Sequence, residues 1–467
     1  MIFSSDIFIF LFLPISLAIY LYSYKISKND TAFPNLILVV ISLILYFWVS
    51  RELTLVFLFS ILVNYSFGRF IHVSKKPSLM LFFGVMINIS ILFYYKYFNF
   101  FIDQLRSFKI VLPYLKFTSN LSILLPIGIS FYTLMALSYL IDVYKKRIKP
   151  VSLLKFATYL TLFPHLFAGP IVRYDDIGKE INTRKVTFQM IFDGFLRFSW
   201  GLGKKVLIAD SLGFIVDKIF SLPAGSIPPT LSWIGILVYA FQIYYDFSGY
   251  TDMAIGLALF FGFTFPENFN APFLSRSITE FWQRWHISLS SWLKDYIYFP
   301  LGGSRKGTVR AYINTLIVFF LCGLWHGASW TFIVWGIYNA FILMYEKFLR
   351  KNFHITSLRI LEVIYTYILF SIGLIFVRSP SIEYATAYLK NLFSFASVLN
   401  TLGNYHVEYF FSLKSIAMLI FAVMLTYMSL PKIKNKYILG SFALGVLIYS
   451  LIIVSQSSVM PFIYIQF

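Results

Sequence analysis

Residues 311–345 read AYINTLIVFFLCGLWHGASWTFIVWGIYNAFILMY, and His326 is the only Asp, Glu, Lys, Arg or His among them. As one straight helix, these residues at 1.5 Å each would run to about 52 Å and overshoot a hydrocarbon layer about 30 Å thick. The stretch therefore has to break. The run CGLWHGASW, Cys322 to Trp330, is the place for it, because Gly323 and Gly327 relax the backbone and admit close neighbours. The pattern predicts two membrane-embedded helices meeting at His326, an imidazole set deep in apolar surroundings. Ionisable groups at such depth are costly, and those retained line a polar cavity or a reaction path. With no acidic neighbour in sequence, this ring stays neutral and available as a base. The bland alternative is a core histidine satisfied by a backbone carbonyl.

The rest of the chain has the same character. Of its 467 residues, 59% are hydrophobic, 21% aromatic and only 13% charged, against roughly 25% charged in a soluble domain. A water-soluble enzyme is excluded. Lys+Arg number 39 and Asp+Glu 20, a formal net charge of +19, but the basic residues are scattered in short loops between apolar runs. That distribution suits anionic membrane lipids and argues against nucleic acid as a partner. Charge-free windows at 7–24, 31–50, 78–95, 117–141 and 437–467, with shorter ones at 53–68, 156–172, 231–245, 363–377 and 415–430, predict roughly ten to twelve membrane-embedded helices in one domain spanning 1–467. The first window has no basic residue before it and is kept as a helix rather than a signal peptide. Lys25 and Lys28 after it put the first loop inside, and the basic loops at 145–155, 276–310 and 346–359 are the other cytoplasmic ones. The single cysteine, Cys322, excludes an internal disulfide framework and a Cys-rich zinc site.

A second histidine lies in SITEFWQRWHISLSSWLKD, 277–295. Trp282, Trp285, His286, Leu289, Trp292 and Leu293 recur at helical spacing on one face, while Glu280 and Arg284 form an i,i+4 pair on the other. This predicts one amphipathic, Trp-rich helix at the cytoplasmic surface, with His286 pointing inward but less desolvated than His326. YYDFSGYTD, 244–252, carries Asp246 and Asp252 between apolar runs, where an unpaired carboxylate is expensive. Ion pairs with Arg197, Lys204 or Lys205 are the expected solution. A substrate channel lined by Tyr245, Asp246, Ser248 and, beside His326, Trp325 is the competing one. GGSRKG, 302–307, offers a nest of backbone N–H groups flanked by Arg305 and Lys306 for a donor phosphate, although it lacks P-loop spacing and reads equally as a positive-inside turn. His165, in LFPHLFAGP, reads as a helix-end cap on carbonyls. His72 and His354 sit by basic clusters and His406 in a polar loop. His286 and His326 have no third ligand nearby to make a zinc site, and Cys322 reads as core.

Taken together, FPHLFAGPIVRY (163–174), WGLGKK (200–205), YYDFSGYTD (244–252), RWHISLS (284–290) and LWHGASW (324–330) resemble the membrane-bound O-acyltransferase (MBOAT) superfamily. Within it they resemble the bacterial alginate O-acetylase and peptidoglycan O-acetyltransferase branch, and the likeness runs nearly end to end. Teichoic acid D-alanyl transferases share the two histidines, but GPIVRY (169–174) and the closing FIYIQF (462–467) favour the polysaccharide branch. The resemblance implies an all-α polytopic disc of tilted and broken helices around a central tunnel, with the histidines near its narrowest point. It implies that His326 is catalytic and His286 the second signature position, that acetyl-CoA is the donor with no bound cofactor or metal, and that an extracytoplasmic SGNH-type acetyltransferase is a partner. The bacterial cytoplasmic (inner) membrane is the implied location. A polysaccharide transporter or a non-catalytic scaffold would also be polytopic, but no internal repeat of the kind transporters carry is found.

Overall fold

A computed structural model of the chain describes residues 3–28, 30–107, 123–352, 358–394, 407–428, 435–456 and 462–463. His354 and His406 lie outside them. Among the described residues the regular structure is entirely helical. Seven stretches are long and apolar enough to cross a bilayer: Ile7–Ile26, Ala32–Val73, Pro77–Ser107, Thr308–His326, Trp330–Leu349, Arg359–Arg378 and Lys436–Gln456. Ile129–Tyr144 and Leu413–Tyr427 are shorter apolar helices. The Ala32–Val73 stretch turns at Arg51, whose φ is +43°, so that Ala32–Ser50 and Thr54–Val73 are each about one bilayer long. Large apolar side chains on these helices, such as Phe47, Trp48 and Leu55, are more than 60% exposed. A surface of that kind is solvated by lipid, and the chain is a polytopic protein of the membrane.

The window at 156–172 is not a span. The helix Leu153–Thr161 ends at Leu162, a four-residue helix Phe163–Leu166 follows, and irregular backbone continues to Val172. Pro164 and Pro170 supply no N–H and disfavour helix before them. This irregular stretch is buried, as backbone at membrane depth must be. The window at 231–245 lies inside a longer helix, Pro229–Phe260.

Contacts cluster into two units, Met1–Gly194 with Ala254–Pro266, and Phe195–Met253 with Glu267–Phe467. The first is built around polar ties in an aromatic interior. Buried Arg184 donates from Nε to the Tyr20 hydroxyl (2.7 Å) and from Nη1 to Asn35 Oδ1 (2.6 Å), with its guanidinium 4.7 Å from the Phe263 ring centre. Asn64 and Asn88 exchange amide hydrogen bonds of 3.0 and 2.8 Å between their helices, the type of glue that holds helices where lipid supplies no hydrophobic drive. His165 bonds through Nε2 to the Tyr159 carbonyl at 3.0 Å, which is the expected cap.

The second unit holds the 311–345 stretch, and the expected break is there. Thr308–His326 and Trp330–Asn352 are separate helices joined by Gly327–Ser329. They pack backbone against backbone: a Cβ on Gly323 would lie 2.3 Å from the Phe332 carbonyl oxygen, and one on Gly336 would lie 2.2 Å from that of Phe319. Only glycine permits this approach, which brings the two arms together below His326.

Candidate active site

His326 is the last residue of its helix, and its ring is enclosed by aromatics. Trp325 and Trp335 stand edge-on with ring centres at 4.9 Å each, and Phe332 lies nearly parallel at 6.3 Å. These contacts follow from the break, since Phe332 and Trp335 come from the first turns of the returning helix.

The 277–295 segment departs from the expected single helix. Ile278–Arg284 and Ile287–Leu293 are two short helices, and between them Trp285 is extended while His286 is left-handed at φ +44°, ψ +54°. The six residues assigned inward are all buried, so the periodicity identified the right face. What it could not contain is the corner. The backbone groups freed there pair with a neighbouring loop: Ile287 N–H donates to the Asn268 carbonyl (3.0 Å) and Asn270 N–H to that of Arg284 (2.9 Å). His286 is 1% exposed and His326 8%, which reverses the expected order of burial. Burial, and then the neighbouring His326, hold the His286 imidazole well below its ordinary pKa, so it is neutral at physiological pH.

The two imidazoles share one wall. Trp325 lies 6.0 Å from the His286 ring centre, and Phe247 stands edge-on to His286 at 4.8 Å. His286 Nδ1 is 3.2 Å from Asn268 Oδ1, which also accepts from the Ser288 N–H (3.1 Å) and hydroxyl (2.9 Å). Next to this centre is a cavity of about 1700 Å³, reaching from Arg276, Lys294 and Glu346 inward to Trp282, Phe319 and Cys322. On its wall the Trp282 ring lies 5.9 Å from Trp335, which in turn packs on His326. The cavity was not legible in the sequence, because its lining comes from helices far apart in the chain.

The family model for MBOAT, the membrane-bound O-acyltransferase family, matches residues 43–377, a span that contains both histidines and the helix break. The chain belongs to this family. It is 38% identical over 401 residues to the probable alginate O-acetylase AlgI of Azotobacter vinelandii, covering 85% of this chain and 78% of that one. It is 36% identical over 427 residues to the peptidoglycan O-acetyltransferase of Helicobacter pylori, covering 84% and 80%. The teichoic acid D-alanyltransferase of Bacillus subtilis is 29% identical over 239 residues, 48% of this chain and 60% of that one. The likeness read from the five motifs is therefore an MBOAT likeness to the acetylating branch, and membership makes the chain a membrane acyltransferase. These three relatives are bacterial and seven stretches of the described residues are long and apolar enough to cross a bilayer, in keeping with a multi-pass protein of the inner membrane.

The other motif residues of this MBOAT chain are mostly committed to each other. Asp246 pairs with Lys205 (2.7 Å), Lys205 also with Asp210 (2.8 Å), and the second Asp246 oxygen accepts from Ile463 N–H (2.9 Å). Asp252 pairs with Arg197 (2.7 Å) and Lys204 (2.6 Å). The partners expected from the cost of burial are those found. The Tyr245 hydroxyl donates to the Ala422 carbonyl (2.7 Å) and meets Thr426 Oγ1 at 2.8 Å, which fixes it on the helix Leu413–Tyr427. Ser248 is buried, with its hydroxyl unpaired among the described residues. Of this motif, Phe247 is the member that reaches His286. In the 302–307 loop the N–H groups of Gly302, Gly303 and Arg305 are used by the Phe299, Tyr298 and Gly302 carbonyls. The side chains of Arg305 and Lys306 in this loop are exposed.

Proposed function

We propose that this chain transfers an acetyl group from a cytoplasmic thioester, acetyl-CoA, to a hydroxyl reached from the outer side of the membrane, for O-acetylation of a cell-wall or exported polysaccharide of the alginate or peptidoglycan kind. The observation that carries the reading is the pair of buried imidazoles around Trp325, at the end of a broken membrane helix. His326 takes the proton as the hydroxyl oxygen attacks the thioester carbonyl, the C–O bond forms and the C–S bond breaks, and the proton leaves on the thiolate sulfur. Aromatic walls exclude water, which would otherwise hydrolyse the donor. His286 either orients the thioester or shares the proton path. The cavity beside Trp282 suits the donor arm, with Arg276 and Lys294 for its phosphates. Arg305 and Lys306 are further cationic contacts. The acceptor is a sugar, or an SGNH-type partner that completes the transfer outside. The names of the relatives support an acetyl group as what is transferred and a polysaccharide as what is modified.

The test is release and transfer of radiolabelled acetyl from acetyl-CoA by the purified protein in nanodiscs, beside the same assay with a D-alanyl thioester. Acetyl turnover that is lost in His326→Ala supports the reading. Turnover of D-alanyl alone, or equal acetyl turnover by the variant, overturns it.

A further inference from the structure

Asn268 lies in the loop after the long helix Pro229–Phe260, fully buried, and its side-chain oxygen is the meeting point of three donors. Their identity settles a question that heavy-atom positions alone leave open. A backbone N–H can only donate, so the Asn268 atom 3.1 Å from Ser288 N has to be the amide oxygen and not the nitrogen. An amide oxygen carries no proton. The hydrogen bond to His286 Nδ1 therefore has its proton on the histidine. A neutral imidazole has one N–H, and with it on Nδ1 the lone pair is on Nε2.

We propose that Asn268 is a positioning residue that fixes His286 as the Nδ1–H tautomer and thereby makes its Nε2 a proton acceptor. This rests on the reading that the two histidines serve acyl transfer, and it deepens that reading by choosing between two roles for His286. An Nε2–H would donate a hydrogen bond to the thioester carbonyl; an Nε2 lone pair accepts a proton from the hydroxyl side and passes it on to the departing thiolate. Asn268 dictates the second.

The geometry of the corner supports the assignment. A left-handed backbone is unfavourable for a non-glycine residue, and His286 adopts it with its flanks held by two hydrogen bonds to the 268–270 loop. The Asn268 carbonyl holds Ile287 while its side chain holds His286 and Ser288, so one residue sets both the backbone turn and the ring. Positioning groups of this kind, behind a histidine, matter nearly as much as the ring they orient.

The experiment uses full-length protein in nanodiscs with 15N-labelled histidine, the His286 signals being assigned by difference from His286→Gln. The expected result for the parent is a protonated Nδ1 and an unprotonated Nε2. In Asn268→Ala the preference is lost, and transfer slows on the order of 100-fold in kcat with the donor KM within twofold. Asn268→Asp keeps an acceptor oxygen in place, restores Nδ1 protonation and recovers at least tenfold of the lost rate. A parent His286 protonated on Nε2 overturns the proposal without the help of any variant, as does Asn268→Ala with parental tautomer and kcat. Failure of the functional reading looks different: the tautomer is as described, but His286→Gln retains full transfer.

Discussion

Gly336→Ala is the substitution that most sharply tests whether the helix break positions His326. The added methyl carbon would stand 2.2 Å from the Phe319 carbonyl oxygen and 3.3 Å from Gly323 Cα. Neither is a side chain that can rotate away. Restoring a contact of about 3.3 Å requires the helices Thr308–His326 and Trp330–Asn352 to separate by about 1 Å. Overpacking of this kind costs about 1–3 kcal/mol, which the pair can meet by tilting apart. The tilt is felt at the corner they share, where Trp325 and His326 end one helix and Phe332 and Trp335 begin the other. A displacement of about 1 Å in a reacting group lowers a rate on the order of 100-fold. The expected outcome is a protein that still inserts, melts a few degrees lower in nanodiscs, and has kcat for acetyl transfer reduced about 100-fold. Gly323→Ala, with its Cβ 2.3 Å from the Phe332 carbonyl oxygen, should behave alike. Parental kcat and melting temperature in both variants would refute the argument that glycine contact sets the site.

Three further outcomes are expected. Cys322→Ala should keep most activity, since direct transfer needs no acyl-cysteine; radiolabelled acetyl trapped on Cys322 would show that the nucleophile lies there. In that background Ser291→Cys, on the cavity wall, should react with a membrane-impermeant thiol reagent only in inverted vesicles, and labelling of intact cells would reverse the topology. Lys205→Met leaves the buried Asp246 carboxylate without its cation and should cost about 3–5 kcal/mol, read as a loss of monodisperse protein and of thermal stability; an unchanged melting curve would contradict the buried pair.

The parts of this molecule legible in the sequence are those where one physical constraint acts along a continuous stretch. Residues 311–345 are too long and too apolar for one crossing, so the break at Gly327 follows from length and glycine alone. The cost of burying Asp246 and Asp252 likewise demanded cations, and Lys205, Lys204 and Arg197 provide them. Where the chain folds back on itself the sequence is silent. Two short helices in line reproduce the periodicity of one, so the corner at His286 was invisible, having neither glycine nor proline to mark it. The reversed burial of the two histidines follows from the same corner, which tucks His286 beneath Trp325 and Phe247. Asn268 was missed because an asparagine in a loop has many ordinary uses, and its partners His286 and Ser288 come from another segment. At 156–172 hydropathy allowed a span, but Pro164 and Pro170 interrupt the helix and leave a buried irregular segment.

Everything proposed for this site depends on His326 performing the transfer from a bound thioester. The most direct measurement is single-turnover acetyl transfer by His326→Ala in nanodiscs, with acetyl-CoA binding followed by calorimetry on the same sample. The expected result is donor affinity within a few fold of the parent and no transfer. Transfer at the parental rate, or loss of donor binding in a folded variant, would contradict it.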